Sequence, residues 1–201
     1  MKLKLESMLY QIKNWKAHWR AFYIGSYVVV EGVVSNMLQV GTGGVGRYYG
    51  TLGVIVHRAN GSALNLGCVS KRVVTTAFVN YLRDDLANAA GAADVSTFRF
   101  HGCGTGVGAE AIGDTALGAE STTALNPDST RAVGTQVNSV AKAYSSVGTL
   151  TFDATAAITE HGLFSAATVG VLMDRSVFAA VNVGSGDSIQ FTYTLTISDG
   201  G

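Results

Sequence analysis

Histidine and cysteine side chains can ligate a metal, and two of them stand close together at His101 and Cys103. Alternation along a strand would place both side chains on the same face. A metal site would need further ligands from elsewhere in the chain, such as His161 or Cys68. No CxxC spacing occurs, and the simpler interpretation is a strand end with a hydrogen-bonded His and a small buried Cys. We therefore expect no metal and no cofactor.

Glu160 and His161, with Asp153 and Asp174 near them in sequence, are the candidates for acid–base chemistry. A catalytic triad needs a nucleophile within hydrogen-bond reach of the histidine, and no GxSxG elbow is present. The acidic residues are spread singly, without the paired carboxylates of a glycosidase. The sequence therefore predicts a protein that is not an enzyme and has no catalytic residue.

Two glycine-rich stretches match dinucleotide-binding patterns, GxGxxG at residues 41–46 and GxGxxA at residues 104–109. In a dinucleotide site, such glycines turn a strand into a helix whose N-terminus faces the pyrophosphate. The first match leads into Arg47, Tyr48 and Tyr49, which are typical of a strand, and the second leads into an irregular segment. We interpret both as turns.

The first element that the sequence predicts is an amphipathic helix over residues 1–22. Its apolar residues recur at steps of three and four, which places them on one stripe of a helix. They are expected to anchor this arm against its own body or against a neighbouring subunit. The anchoring residues are Leu5, Met8, Leu9, Ile12, Trp15 and Trp19.

The remainder is rich in Val, Thr, Phe and Tyr runs separated by Gly and Asn, a pattern typical of strands and tight turns. A second, short helix is expected from Thr75 or Thr76 to Asn88, capped by Thr75, and residues 102–131 are expected to form a long excursion. The fold prediction is mainly β, an antiparallel, jelly-roll-like β-sandwich with an N-terminal amphipathic helix and one further short helix. Its parts are residues 1–22, 23–70 and 71–201. The predicted strands are residues 26–34, 48–57, 63–69, 95–101, 144–152, 170–181 and 188–197.

Charge is scarce, since only 14% of the 201 residues are charged, against about 25% in an ordinary domain. Fourteen basic and fourteen acidic residues give a net charge of zero, but residues 1–22 carry +4 and the rest carries −4. This balance favours neither a nucleic-acid nor a membrane partner. Two cysteines are too few for a disulfide scaffold, so we expect a reducing compartment, and we find no signal peptide or membrane-spanning segment.

Several sequence blocks in residues 71–201 resemble a family of tailed-bacteriophage virion structural proteins. Where that family usually has Gly-Thr-Leu-Leu before Asp-Arg, this chain has Gly170, Val171, Leu172 and Met173. The blocks are residues 73–82 (VVTTAFVNYL), 98–106 (FRFHGCGTG), 109–117 (AEAIGDTAL), 158–165 (ITEHGLFS), 172–178 (LMDRSVF) and 185–193 (SGDSIQFTY).

This resemblance implies a structural role and no active site. We expect a decoration, or cement, protein that is made in the bacterial cytoplasm and resides on the capsid surface of the virion. Its partners would be the major capsid protein and copies of itself, as a homotrimer. The alternatives are a tail, head-fibre or neck component of the same particle and, from another class, a small metal-binding enzyme that uses His101, Cys103 and His161.

Overall fold

A computed structural model describes residues 20–24, 27–31, 47–72, 74–87, 94–137 and 141–198. The chain divides into two compact units, Met1–Gly43 and Gly44–Gly201. In the first unit, strands β1 (Arg20–Ile24) and β2 (Tyr27–Glu31) form an antiparallel hairpin.

Most of the predicted N-terminal helix, residues 1–19, lies outside the described residues. Its six anchoring residues are all in that part: Leu5, Met8, Leu9, Ile12, Trp15 and Trp19. The last three residues of the predicted helix, Arg20 to Phe22, lie in β1 and are strand rather than helix. The apolar residues from Ala21 to Ile24 follow one another directly and are compatible with a strand as well as with a helix. Apolar spacing alone therefore did not fix the end of the helix.

The second unit contains two antiparallel sheets. The five-stranded sheet has the order β4–β3–β11–β8–β7, and the four-stranded sheet has the order β10–β9–β5–β6. The strands of the first sheet are β3 (Arg47–His57), β4 (Ala63–Arg72), β7 (Thr135–Val137), β8 (Ala143–Thr151) and β11 (Ser188–Ser198). Those of the second are β5 (Phe100–Gly104), β6 (Ala132–Val133), β9 (Ala156–Phe164) and β10 (Leu172–Val183).

Strand β11 is the centre of the five-stranded sheet, paired with β3 on one side and β8 on the other. Its alternation predicts one apolar face, and Ile189, Phe191, Tyr193 and Leu195 are indeed buried. Ile197 continues the alternation but is 42% exposed, because it lies at the end of the strand where the core stops. The core itself draws side chains from both sheets, so one apolar interior holds the two together.

Two turns follow from local sequence: the hairpin turn between β3 and β4, and the turn that leads from β10 of the four-stranded sheet to β11 of the five-stranded sheet. Gly61 in the Ala59–Ser62 turn and Gly186 in the Gly184–Asp187 turn both adopt a φ of +84°, which favours glycine. An ion pair between Arg58 and Asp187, at 2.9 Å, joins the two turns. Both turns were predicted from their Asn-Gly and Gly-Ser-Gly-Asp sequences and are confirmed.

Helix α1 (Thr76–Leu86) confirms the second predicted helix and its cap, because the Thr75 hydroxyl accepts a hydrogen bond from the Phe78 N–H at 3.1 Å. Phe78 faces the core, whereas Leu86 in the last turn is 78% exposed. Among the described residues, no helix is long and apolar enough to cross a membrane.

The strand predicted over residues 95–101 is wrong in its first part. Val95–Thr97 is a short 3-10 helix, which begins where the Asp94 carboxylate accepts the Ser96 N–H at 2.9 Å. The local cap outcompetes the β propensity of Val95. Strand β9 was not predicted, because its residues do not alternate between apolar and polar types; both of its faces are buried from Ile158 to Phe164.

Gly50 in β3 lies against a polar contact between the sheets, and its replacement should be costly. A Cβ at this position would lie 2.7 Å from both the Asp174 Oδ2 and the Tyr193 hydroxyl. We expect Gly50→Ala to lower the free energy of unfolding by about 1–3 kcal/mol, as overpacking does. Gly53→Ala, in the same strand, is the control, because its Cβ would meet nothing closer than 3.7 Å. Urea unfolding measures both, and equal effects would contradict this packing.

Candidate functional site

Two histidines and a serine form a buried polar connection between the sheets. On β5 and β9, His101 and His161 both face the interior, and His101 Nδ1 lies 2.9 Å from His161 Nε2. The other ring nitrogen, His101 Nε2, lies 2.8 Å from the Ser146 hydroxyl on β8 of the opposite sheet. All three residues are fully buried.

The order of these three groups is that of a nucleophile, a base and an orienting residue. Sequence reasoning missed Ser146, which carries no motif, and considered a triad only around His161. The surroundings do not admit a substrate, however. The His101 ring packs on the backbone at Gly134 and Gly148, where a Cβ would collide with the ring, so no space remains beside the serine.

Burial also weakens both histidines as bases. It lowers the pKa of His101 to about 3 and lowers the pKa of His161 well below the usual range, with the neighbouring His101 adding to the second shift. A general base is most effective when its pKa lies near the working pH, and the pKa of His101 lies far below neutral pH. The two rings are therefore neutral at pH 7, and the cluster acts as a hydrogen-bonded link between sheets.

The cysteines do not join this cluster as a ligand set. Cys103 pairs with His161 in the strand register and is fully buried, and burial raises the pKa of its thiol to about 12. Cys68 is exposed on β4, and both cysteines are free. Over the described residues, no group of three or more His, Cys, Asp and Glu side chains is placed to hold a metal ion.

Glu160 lies on the other face of β9 from His161, as alternation requires, so the two do not form an acid–base pair. Its carboxylate is fully buried and accepts the N–H groups of Ala119, Gly118 and Gly106 at 2.7, 2.9 and 3.0 Å. Arg175 Nε donates to it at 2.8 Å. Burial alone would raise the pKa of Glu160, but these backbone and guanidinium donors together lower it.

The second glycine-rich match, residues 104–109, lies against the Glu160 carboxylate, and this position accounts for its glycines. A Cβ on Gly104 or Gly106 would collide with Glu160, and one on Gly118 would lie 2.8 Å from Arg175 Nη2. The glycines therefore let the backbone close around an anion, as they do in nucleotide sites, but the anion here is a side chain of the same chain. The Glu160 carboxylate occupies the place that a phosphate takes in a nucleotide site.

Two arginines hold the excursion of residues 105–131 onto the outer face of the four-stranded sheet. Arg175 also donates to Asp114 at 3.1 Å and to the Gly108 carbonyl at 3.1 Å. Arg131 forms a bidentate pair with Glu120, at 2.6 and 2.9 Å, over the ring of Phe164. Neither arginine stood out in the sequence, because the partners of each are distant or carry no motif.

Asp174 and Asp153 were grouped with Glu160 and His161, but the structure separates them. Asp153 is exposed in the turn that follows β8, whereas Asp174 is buried between the sheets and accepts a hydrogen bond from Ser176 at 3.0 Å. Its Oδ2 and the Tyr193 hydroxyl have no hydrogen-bond partner among the described residues. Burial raises the pKa of Asp174 to about 6, against the opposing effects of Ser176 and Arg72.

The reactive side chains of His101, His161, Cys103 and Glu160 are thus buried inside the chain rather than arranged around an open cavity. Comparisons with known proteins give no match to a family model, a curated protein or a solved structure. A function has to be argued from the residues and the surface of the chain itself.

Removing the cation beside Glu160 should destabilise the fold strongly. Arg175→Met leaves a fully buried carboxylate without its charged partner, and we expect a loss of about 3–5 kcal/mol in the free energy of unfolding. The control is Arg83→Met, whose ion pair with Asp84 is exposed and should contribute less than about 1 kcal/mol. Urea unfolding gives both values, and limited proteolysis should cleave residues 105–119 sooner in Arg175→Met. Equal losses in the two variants would rule out a special role for Arg175.

Acid should also destabilise the fold. The unfolded chain protonates His101 and His161 near their ordinary pKa of about 6.5, but the folded chain keeps them neutral, so their contribution to stability is lost as the pH falls below about 6.5. Asp174 acts in the opposite sense, because its folded pKa is raised to about 6 and its contribution declines as the pH rises towards that value.

The net uptake on unfolding between about pH 6 and pH 5 is about one proton, so the free energy of unfolding should fall by about 1.4 kcal/mol over this interval. Asp174→Asn removes the proton that Asp174 releases on unfolding, and should roughly double the change in the free energy of unfolding per pH unit. Urea unfolding across this pH range measures it, and a free energy independent of pH would refute the assignment.

Proposed function

We propose that the chain is a bacteriophage capsid decoration protein, which binds and stabilises the assembled lattice of the major capsid protein. Its body would be an antiparallel, jelly-roll-like β-sandwich, located on the capsid surface and associated into a homotrimer. The resemblance of residues 71–201 to virion structural proteins supports this role. The two antiparallel sheets with a common interior are compatible with such a body.

The observation that carries the proposal is the uncharged, exposed run from Ala63 to Cys68 in the edge strand β4. From Ala63 to Cys68 both faces of the strand are exposed, and Leu64 and Leu66 are 49% and 38% exposed. Monomeric proteins protect such an edge with charge, proline or β-bulges, and charge and proline are both absent between Ala63 and Ser70. An edge of this kind is suited to burial against another protein.

Irregular pairing with β3 indicates how a partner would contact this strand. The register between β4 and β3 shifts twice, and Gly67 adopts a φ of +67°. Such bulges bend an edge away from simple extension of the sheet. A partner would therefore pack on the side chains of Leu64 and Leu66 rather than add a further strand.

A mechanical role also suits the internal chemistry. The fully buried Glu160 and His101 are bonded within the chain, so they offer no group to a substrate. A protein that binds only the assembled lattice raises the free energy needed to disrupt it, without any catalytic step. A surface low in charge lowers the desolvation cost of that binding.

Heating of particles tests the proposal. We expect particles that carry the protein to release DNA at a higher temperature than particles assembled without it. The double variant Leu64→Lys, Leu66→Lys should bind bare particles at least about tenfold more weakly, as loss of central interface residues does. Val169→Lys is the control, since Val169 is 85% exposed and lies in the connection between β9 and β10 rather than in β4.

Equal DNA-release temperatures with and without the protein would contradict the cement role. A count of copies per particle adds a second criterion, because a lattice protein is present in hundreds of copies. About 6 to 18 copies would instead assign the protein to the tail or neck, where closed rings set the number.

A further inference from the structure

An apolar cleft lies between helix α1 and one end of the five-stranded sheet, with a volume of about 580 Å³. Phe78, Leu82 and Leu86 line it on the helix side. Leu195 and Ile197 of β11 line it on the sheet side. Leu86 and Ile197 are 78% and 42% exposed, so the cleft presents apolar surface to solvent.

Two polar side chains of the cleft, Gln136 and Tyr144, are hydrogen-bonded within the chain. Gln136 Nε2 donates to the Ser96 carbonyl at 2.7 Å and to the Tyr144 hydroxyl at 3.1 Å, and that hydroxyl donates to the Phe98 carbonyl. Among the described residues, no charged side chain lines the cleft. An occupant would therefore be recognised through apolar contact, not through a polar or ionic group.

The chain itself carries a matching apolar surface in residues 5–19. Their stripe contains both tryptophans of the protein, Trp15 and Trp19, with Leu and Ile residues at helical spacing. An amphipathic helix laid into an apolar groove is a common mode of recognition, in which residues at three- and four-residue steps serve as anchors. The volume of the cleft falls within the range of about 300–1,000 Å³ that accommodates a few large groups.

Charge supports the same pairing. Residues 1–22 carry five basic and one acidic side chain, and residues 23–201 carry nine basic and thirteen acidic. On α1, Asp85 is three residues from Leu82 and Arg83 is three residues from Leu86, so the helix itself offers both signs of charge beside the cleft, and the complementarity rests on the net charges of the two parts. Residues 1–22 combine an apolar stripe with a net positive charge, whereas the rest of the chain combines an apolar cleft with a net negative charge. Two copies of the chain are therefore complementary in these respects.

We infer that the cleft binds the apolar stripe of residues 5–19 from a neighbouring copy of this chain. The contact would link subunits by insertion of large apolar side chains beside Leu86 and Ile197. This inference concerns self-association and does not depend on binding to a capsid.

The full-length chain provides its own probe, because Trp15 and Trp19 are its only tryptophans. In concentrated solution we expect shielded tryptophan emission and an oligomer by analytical ultracentrifugation. On dilution, the emission should shift to longer wavelength as the oligomer dissociates. Shielded tryptophans in a protein that is monomeric at every concentration would overturn the inference, as would solvent-exposed emission in the oligomer.

Variants locate the contact. Leu86→Glu should weaken self-association at least about tenfold and shift the tryptophan emission, as truncation of a central anchor does. Val79→Glu is the matched control, because Val79 is 47% exposed on the same helix and does not line the cleft. Circular dichroism confirms that both variants are folded.

A variant of the segment completes the test. Ile12→Glu should weaken self-association as Leu86→Glu does, and the double variant should be little weaker than either single variant, because the two residues would act at one contact. Full additivity, or an unchanged oligomer in Leu86→Glu, would refute the assignment of this cleft. Neither result bears on particle binding, which the β4 variants test separately.

Discussion

The burial of strand β9 on both faces is the constraint from which much of the second unit follows. One face of Ile158–Phe164 meets the interior shared by the sheets, and the other is covered by the excursion of residues 105–131. A carboxylate in such a strand has no access to water and must find donors within the chain. Glu160 finds them in three backbone N–H groups and Arg175, and those bonds hold the excursion in place.

This constraint accounts for the glycines of the excursion. The backbone must approach within hydrogen-bond distance of Glu160, and a side chain at Gly104 or Gly106 would occupy the space of the carboxylate. The excursion therefore has few large apolar residues of its own; Leu117 packs with Phe164 and Leu172 and supplies a small apolar cluster. A long segment without regular structure is ordered here by two ion pairs and a few apolar contacts, rather than by a ladder of strands.

The sequence predicted elements whose signals are local and failed where burial depends on distant residues. The alternation of β11, the cap at Thr75 and the two glycine-containing turns are each encoded within a few residues, and all are confirmed. Strand β9 was missed, because a strand buried on both faces shows no alternation. The Ser146–His101 contact was also out of reach, since it depends on how one sheet lies over the other.

The interior contains polar side chains at positions where apolar side chains could have been buried instead. His101, His161 and Asp174 cost free energy to bury, and a well-packed apolar core would be at least as stable. Their hydrogen bonds are directional, however, and the His101–Ser146 bond links strands of different sheets. A slip of either strand by one residue would remove the bond and direct the partner side chains to the other face. The polar groups thus specify how the two sheets are aligned, at a cost in stability.

The same arrangement makes the surface poorer in charge than the composition already implies. Of the few charged residues, Glu160, Asp174 and Arg175 are buried, and Arg131 and Asp187 are nearly so. Each charge that is satisfied inside the chain is one that an approaching partner does not have to desolvate. The exposed apolar residues of β4 lie in a run without charge from Ala63 to Ser70, and no charged side chain among the described residues lines the cleft beside α1. Pairing of charge inside the chain thus leaves fewer charged groups to desolvate when these apolar residues are covered.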